Sequence, residues 1–193
     1  MVKVLAVNGS PRHDGNTSHM LGTVLDICKD AGFETELYNA GGRELRGCRA
    51  CYGCQKNPGK CTIDDWMNEL YEKMVNADAI LLGSPTYTAG LTPEMKAVID
   101  RCGFVAKGAG KTLSRKVGAA VSPARRAGSI HTLDTMQHFL YINDMIIPGS
   151  TYWNMSTALH AGAYEDDAEG VATMKRLGEN IVWLLNKLLS GTE

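Results

Sequence analysis

The sequence predicts an α/β protein built on a doubly wound five-stranded parallel sheet, in the order 2-1-3-4-5, with helices on both faces. Three observations lead there. Five short apolar runs alternate with five segments of helical periodicity, and parallel strands need such helical crossovers. The runs are nearly continuously apolar, as strands covered on both sides are. Three of them end in Ser-Pro, at Ser10-Pro11, Ser84-Pro85 and Ser122-Pro123. In sheets of this kind ligands bind beyond the carboxyl ends of the strands, where the strand order reverses.

Residues 2–7, Val-Lys-Val-Leu-Ala-Val, form the first strand and stop at the turn formers Asn8-Gly9-Ser10-Pro11. Asn16 or Thr17 then caps a helix whose apolar residues Met20, Leu21, Val24, Leu25, Ile27 and Cys28 recur at helical spacing until Gly32. Phe33 to Tyr38 is the second strand. Residues 39–61 show neither period and are too long for an ordinary connection, which marks them as a functional loop. Asp64 or Asp65 opens a helix with Trp66, Leu70 and Met74 on one face, and Ala79 to Leu82 is the third strand. Pro93 occupies a first helical position ahead of Met95, Val98, Ile99 and Cys102. Val117 to Val121 is the fourth strand, residues 129–141 the next helix, and Met145-Ile146-Ile147 the fifth strand. A second long loop, 148–165, precedes a final helix that buries Val171, Met174, Leu177, Ile181, Leu184, Leu185 and Leu188.

The chain has 193 residues, 44% of them apolar, with 20 basic and 21 acidic side chains and a net charge of −1. A chain this long buries roughly 70% of its unfolded surface, enough for a core without disulfides or a structural metal. One domain, 1–193, is expected, with a cysteine-rich loop at about 40–63. The balanced charge argues against nucleic acid as a partner. No apolar run approaches the roughly 20 residues that cross a bilayer, and the amino-terminal apolar run is too short for a signal peptide. A cytosolic protein with reduced thiols and no membrane partner is expected.

The loop after the first strand, Gly9-Ser10-Pro11-Arg12-His13-Asp14-Gly15-Asn16-Thr17-Ser18, gathers hydroxyls, a guanidinium and the free N–H groups of a helix start. Together these suit a phosphate dianion, although the same residues could be only a polar turn and a cap. The loop matches neither the triphosphate nor the dinucleotide glycine pattern, which leaves a mononucleotide phosphate. The loop Ser84 to Pro93 combines rigid prolines, Gly90 and one ring, Tyr87, and can set backbone N–H groups against a flat heterocycle. In the third loop, Ser122 to Gly128, Arg125 and Arg126 are either ligands or solvated surface charge.

The Ser10-Pro11-Arg12…Asn16-Thr17 loop, Ser84-Pro85-Thr86-Tyr87 and Met95-Lys96-Ala97-Val98-Ile99-Asp100-Arg101 resemble the NADPH-dependent FMN reductase superfamily of flavodoxin-like proteins. The resemblance runs over almost the whole chain. It implies that Ser10, Arg12, Asn16, Thr17 and Ser18 bind the FMN phosphate, and that Pro85, Thr86, Tyr87, Thr88, Ala89 and Gly90 line the isoalloxazine. It also brings Arg126 and Gly128 to the ring's other edge.

Four of six cysteines follow the spacing Cys48-x2-Cys51-x2-Cys54-x6-Cys61, with Gly47, Gly53, Pro58 and Gly59 among them. Three chemistries compete for them. A disulfide network needs an oxidising compartment. Structural zinc usually takes two separated cysteine pairs rather than three cysteines at successive x2 steps. A [4Fe-4S] cluster needs four thiolates, and this compact run presents them. Within the superfamily such a run, followed by Thr62-Ile63-Asp64-Asp65-Trp66-Met67, resembles the iron-sulfur flavoprotein group, which implies that Cys48, Cys51, Cys54 and Cys61 hold the cluster. Cys28 and Cys102 lie on apolar helix faces and read as core. The five histidines show no metal spacing with the run.

A flavin exchanges one or two electrons and a cluster one at a time, so a chain with both interconverts the two modes, with no acid or base residue required. The resemblance implies electron transfer between a soluble donor, ferredoxin-like or NAD(P)H, and an acceptor such as dioxygen, peroxide or a quinone. It also implies a homo-oligomer, dimer or tetramer, in which one subunit's cluster serves its neighbour's flavin. An NAD(P)H-dependent FMN or quinone reductase with a secondary cysteine loop is the alternative enzyme; a pure electron carrier or redox sensor is the alternative of another class. Tyr152, Trp153 and Asn154 either form an interface or pack locally.

Overall fold

The computed structural model describes residues 1–190; the last three residues of the expected 1–193 domain lie outside the described residues. In chain order the elements are β1 (Lys3–Asn8), α1 (Asn16–Asp30), β2 (Glu34–Asn39), α2 (Gly53–Lys56), α3 (Met67–Asn76), β3 (Ala79–Gly83), α4 (Pro93–Gly108), β4 (Val117–Ala124), α5 (Ser129–Ile142), β5 (Met155–Thr157), a 3-10 turn at Ala163–Asp166, and α6 (Ala168–Ser190). The strands form one parallel sheet in the expected order β2-β1-β3-β4-β5.

Strand alternation divides the core in two. Leu5 and Val7 of β1 and Ile80 and Leu82 of β3 face α3, α4 and α5. Val4, Ala6, Ala79 and Leu81 face the other way, toward α1 and α6. Every residue of β3 and β4 is therefore buried, which accounts for the apolar runs at 79–82 and 117–121. Cys28 and Cys102 sit in these two cores, where burial pushes both thiols up to about 12.

The fifth strand differs from expectation. Of residues 145–147 only Ile146 pairs with the sheet, as a single parallel bridge to Val117, while Met155–Thr157 pairs with Ser122, Pro123 and Ala124. Pro148 has no N–H to extend the first pairing. The chain leaves the edge there and returns seven residues later to complete it beside the carboxyl half of β4. The apolarity of Met145 and Ile147 serves packing against the α3–α5 core instead. Among the described residues no helix is long and apolar enough to cross a membrane.

Candidate functional site

The three Ser-Pro strand ends meet at the carboxyl edge around a cavity of about 160 Å³. Ser10, Arg12, Asn16 and Thr17 line it on one side, Pro85, Thr86 and Tyr87 on another, and Pro123, Ala124 and Arg125 on the third. The loops are tied to each other before any ligand is considered. Thr92 caps α4 by accepting from Met95 N (3.3 Å) and donates to Gly9 O (2.8 Å), while Ser84 Oγ accepts from Thr92 N (3.0 Å). Thr86 N donates to Pro123 O (3.0 Å), and its hydroxyl contacts Ser122 Oγ at 3.1 Å.

The first loop has anion-binding chemistry. The first-turn N–H groups of α1 at Asn16, Thr17 and Ser18 have no acceptor within the helix, and they carry the positive end of its dipole. Ser10 Oγ accepts from Arg12 N at 3.1 Å. Among the described residues the hydroxyl protons of Ser10 and Thr17 have no protein acceptor. Two of the expected ligands contribute differently. Ser18 Oγ donates to Gly15 O (2.8 Å) and accepts from Gly15 N (3.0 Å), so it closes the helix start. The Asn16 amide donates to His160 O (2.7 Å) and accepts from Tyr164 N (3.2 Å), which secures the segment that carries Ala158 and Leu159. Both residues leave their backbone N–H free in the first turn of α1, and of the two Asn16 lines the cavity.

In the second loop Tyr87 and Gly90 exchange backbone hydrogen bonds at 2.9 Å each. The turn between them places Thr88 (φ 49) and Ala89 (φ 56) in the left-handed region, an uncommon conformation for a β-branched residue that concentrates at functional sites. Gly128 (φ 94) packs against this turn; a Cβ there would lie 3.2 Å from Ala89 Cα and Thr86 Cγ2. Arg126 is exposed, and it is Arg125 that lines the cavity. Of the two arginines weighed in the third loop, the resemblance favours Arg126 and the structure brings in Arg125; Ala158 and Leu159 carry no ligand signal in the sequence and arrive only because β5 lies at 155–157, with Ala158 N donating to Ala124 O (2.9 Å).

A second cavity, about 20 Å³, is lined by all four cysteines of the run together with Thr62, Ile63, Arg101, Phe104 and Val105. The cysteine loop folds through unusual backbone: Ala50 (φ 50) and Tyr52 (φ 55) are left-handed, and α2 begins at Gly53, where a Cβ would run into Thr62 Cγ2. A Cβ at Gly108 of α4 would lie 2.7 Å from Cys54 O, so the loop and α4 touch through backbone. Asn68 accepts from Cys61 N (2.8 Å) and donates to the carbonyls of Cys61 and Ile63. Arg43 stacks over Trp66, whose ring N–H donates to Glu44 O (2.9 Å), and these contacts hold the loop's entry.

The electrostatics of the thiols are unequal. The Thr62 hydroxyl, 3.4 Å away, followed by the Gly53 N–H, holds Cys51 below the usual thiol value. Desolvation pushes Cys54 up, assisted by Cys61, Cys48 and Cys51 around it. Beneath them Arg101, almost wholly buried, is gripped by Asp65 in a two-pronged ion pair (2.7 and 2.8 Å) and reaches Cys61 Sγ at 3.3 Å. Asp65, expected to open α3, therefore faces the cysteine loop. Among the described residues no three His, Cys, Asp or Glu side chains converge on a single point as one metal ion requires. Tyr152 and Trp153 are exposed and stacked edge to face, whereas Asn154 is buried and accepts from Ser122 N through its carbonyl.

Comparison with known proteins places the chain in a family. Residues 2–160 match the NADPH-dependent FMN reductase family. An iron-sulfur flavoprotein of Methanocaldococcus jannaschii is 33% identical over 187 residues, covering 93% of this chain and 95% of that protein. An iron-sulfur flavoprotein of Methanosarcina thermophila is 30% identical and covers 93% of each. Among solved structures, RosB with a bound flavin intermediate superposes with a TM-score of 0.75 at 15% identity, over 100% of this chain and 82% of that one. An NADH:FMN oxidoreductase superposes with a TM-score of 0.69 at 13% identity, over 95% and 90%; these two likenesses concern the fold. With its flavodoxin-like sheet, its phosphate-type loop and a match that spans most of its length, the chain belongs to the NADPH-dependent FMN reductase family of flavin-dependent oxidoreductases and resembles the iron-sulfur flavoproteins within it.

Proposed function

We propose that this protein is an FMN-binding iron-sulfur flavoprotein that moves electrons between a soluble donor, ferredoxin-like or NAD(P)H, and an acceptor such as dioxygen, peroxide or a quinone. Ser10, Thr17, Arg12 and the first-turn N–H groups of α1 hold the phosphate, with Asn16 and Ser18 acting through backbone. Pro85, Thr86, Tyr87, Thr88, Ala89 and Gly90 flank the ring system, and Gly128 lets the third loop close on that turn, with Arg125 and Arg126 supplying positive charge at its edge. Cys48, Cys51, Cys54 and Cys61 carry a [4Fe-4S] cluster. When bound, the flavin supplies one- and two-electron exchange and the cluster single-electron exchange; the protein positions both and needs no general acid or base.

One observation carries this assignment: four cysteines that span fourteen residues line one cavity, on a chain that also brings its three strand-end loops around another. The inorganic core is larger than the small cavity, and Cys48 and Cys51, both exposed, are the side free to turn outward around it. A homo-oligomer, dimer or tetramer, in the cytoplasm completes the proposal. Anaerobic purification followed by counts of FMN, iron and acid-labile sulfide per chain tests it; stoichiometric zinc without sulfide would refute the cluster. Cys54→Ser is expected to lose iron and keep flavin, because Cys54 lines the second cavity and not the strand-end one.

A further inference from the structure

Arg101 is used by neither the flavin pocket nor the sheet, yet it is one of the largest fully buried side chains among the described residues, and its side chain is wholly shielded from solvent. A guanidinium leaves water only when its charge and its N–H groups are met elsewhere. Asp65 meets the charge with both carboxylate oxygens, and the carbonyls of Arg46 and Ile63 accept further bonds at 3.2 and 3.3 Å. Those bonds suffice to tie α4 to the cysteine loop. They also engage all four Nη hydrogens, so only Nε–H is left wholly unmet and any bond from Nη2 to sulfur is a shared one. Nη2 also reaches Cys61 Sγ at 3.3 Å, and Nε–H is buried without any acceptor among the described residues. Native proteins rarely leave a buried donor unmet. An orphaned N–H on a residue that lines a cavity together with four thiols points to an anionic acceptor held in that cavity.

We propose that Arg101 is a positioning residue of the cysteine centre: Nη2–H holds the Cys61 sulfur by a shared bond and Nε–H donates to anionic sulfur in the cavity, which raises the centre's affinity for an electron. This rests on the iron-sulfur assignment above. Uptake of one electron from a one-electron reductant adds one negative charge to the sulfur-ligated centre, with no bond broken and no proton or leaving group transferred. Hydrogen bonds to sulfur favour the more negative form. Because Asp65 balances the cation, the effect comes from N–H groups aimed at sulfur. Lysine can retain the ion pair but has no fork to supply them.

The test is a dithionite titration of the anaerobically purified holoprotein, followed by electron paramagnetic resonance, on the wild type, Arg101→Lys, and Arg101→Gln combined with Asp65→Asn. Flavin, iron and sulfide are counted first. Both variants are expected to keep flavin and iron. At the wild-type midpoint the ratio of reduced to oxidised centre should fall at least threefold in Arg101→Lys. In the double variant it should fall at least tenfold, which is a downward shift of 59 mV for one electron. A ratio within twofold of wild type in Arg101→Lys overturns the proposal, and so does loss of iron from that variant with flavin retained, since Arg101 would then be only a structural staple. If Arg101→Lys loses flavin as well, the double variant, which removes both members of the pair, decides by the same two criteria. A wild type without iron and sulfide refutes the iron-sulfur assignment itself, an outcome visible before any variant is compared.

Discussion

At Gly41 a single missing atom lets the first strand-end loop take its place. A Cβ built there would fall on the backbone of Ser10 and within 2.5 Å of Gly9 O, and the Gly41 N–H donates to Asn8 O at 3.0 Å. The phosphate-type loop therefore rests on the chain leaving β2, and nothing flexible can yield. Overpacking of this kind costs about 1–3 kcal/mol. Since the displaced atoms belong to the loop itself, Gly41→Ala is expected to weaken FMN binding by about tenfold to a hundredfold, read by quenching of flavin fluorescence on titration into apoprotein. Sequence reasoning located the loop through its composition, Ser10, Arg12 and Thr17 above all, but gave Gly41 no role, because the contact joins segments thirty residues apart. Arg101 escaped for a related reason. It sits in a helical stretch of charged and apolar residues where arginine ordinarily faces water, and only the three-dimensional placement of Asp65 and Cys61 reveals that it does not.

At the scale of elements, the parallel strands and their crossover helices were legible because each carries its own period and its own punctuation. β5 was not, since it is three residues long, Met155–Thr157, and half exposed, so no periodicity exists to read. Its stability comes from outside. The Asp167 carboxylate accepts from Ser156 Oγ (2.7 Å) and Thr157 N (3.0 Å), and from Gly170 N (3.0 Å) in the first turn of α6. Desolvation works against the charged form, but these donors outweigh it and hold the carboxyl below its ordinary value of 3.8. A group depressed in this way contributes its full stability above the ordinary value and loses it as pH falls through the lower folded-state value. Asp167→Ala should therefore cost about 1–2 kcal/mol at neutral pH, as loss of a helix cap does. That lowers Tm by about 2–8 °C for a chain of this size, and the gap to wild type should close below pH 3.8. A gap that persists undiminished at pH 2 would show that the carboxylate's charge is not what matters.

For the molecule as a whole, the sheet separates what the two centres depend on. The cysteine cavity is built on α3, α4 and the loop before them, all packed on one face. The strand-end cavity, where we place the flavin, hangs on the ends of β1, β3 and β4 and on the start of α1, whose packing lies on the other face with α6. The two centres share α4, with Thr92 at its start tying the strand-end loops and Arg101 more than two turns further on under the cysteines. A helix rises 1.5 Å per residue, so these points stand about 13 Å apart along its axis. Loss of iron should accordingly leave the flavin loops in place. Addition of FMN to apoprotein at a hundred times its Kd should stabilise the fold by about 2.7 kcal/mol through mass action alone, and by the same amount in Cys54→Ser as in wild type. Thermal melts of both proteins with and without FMN measure this directly. A flavin-induced rise in Tm that collapses in Cys54→Ser would mean that α4 transmits the state of one centre to the other, and that the two are one cooperative site.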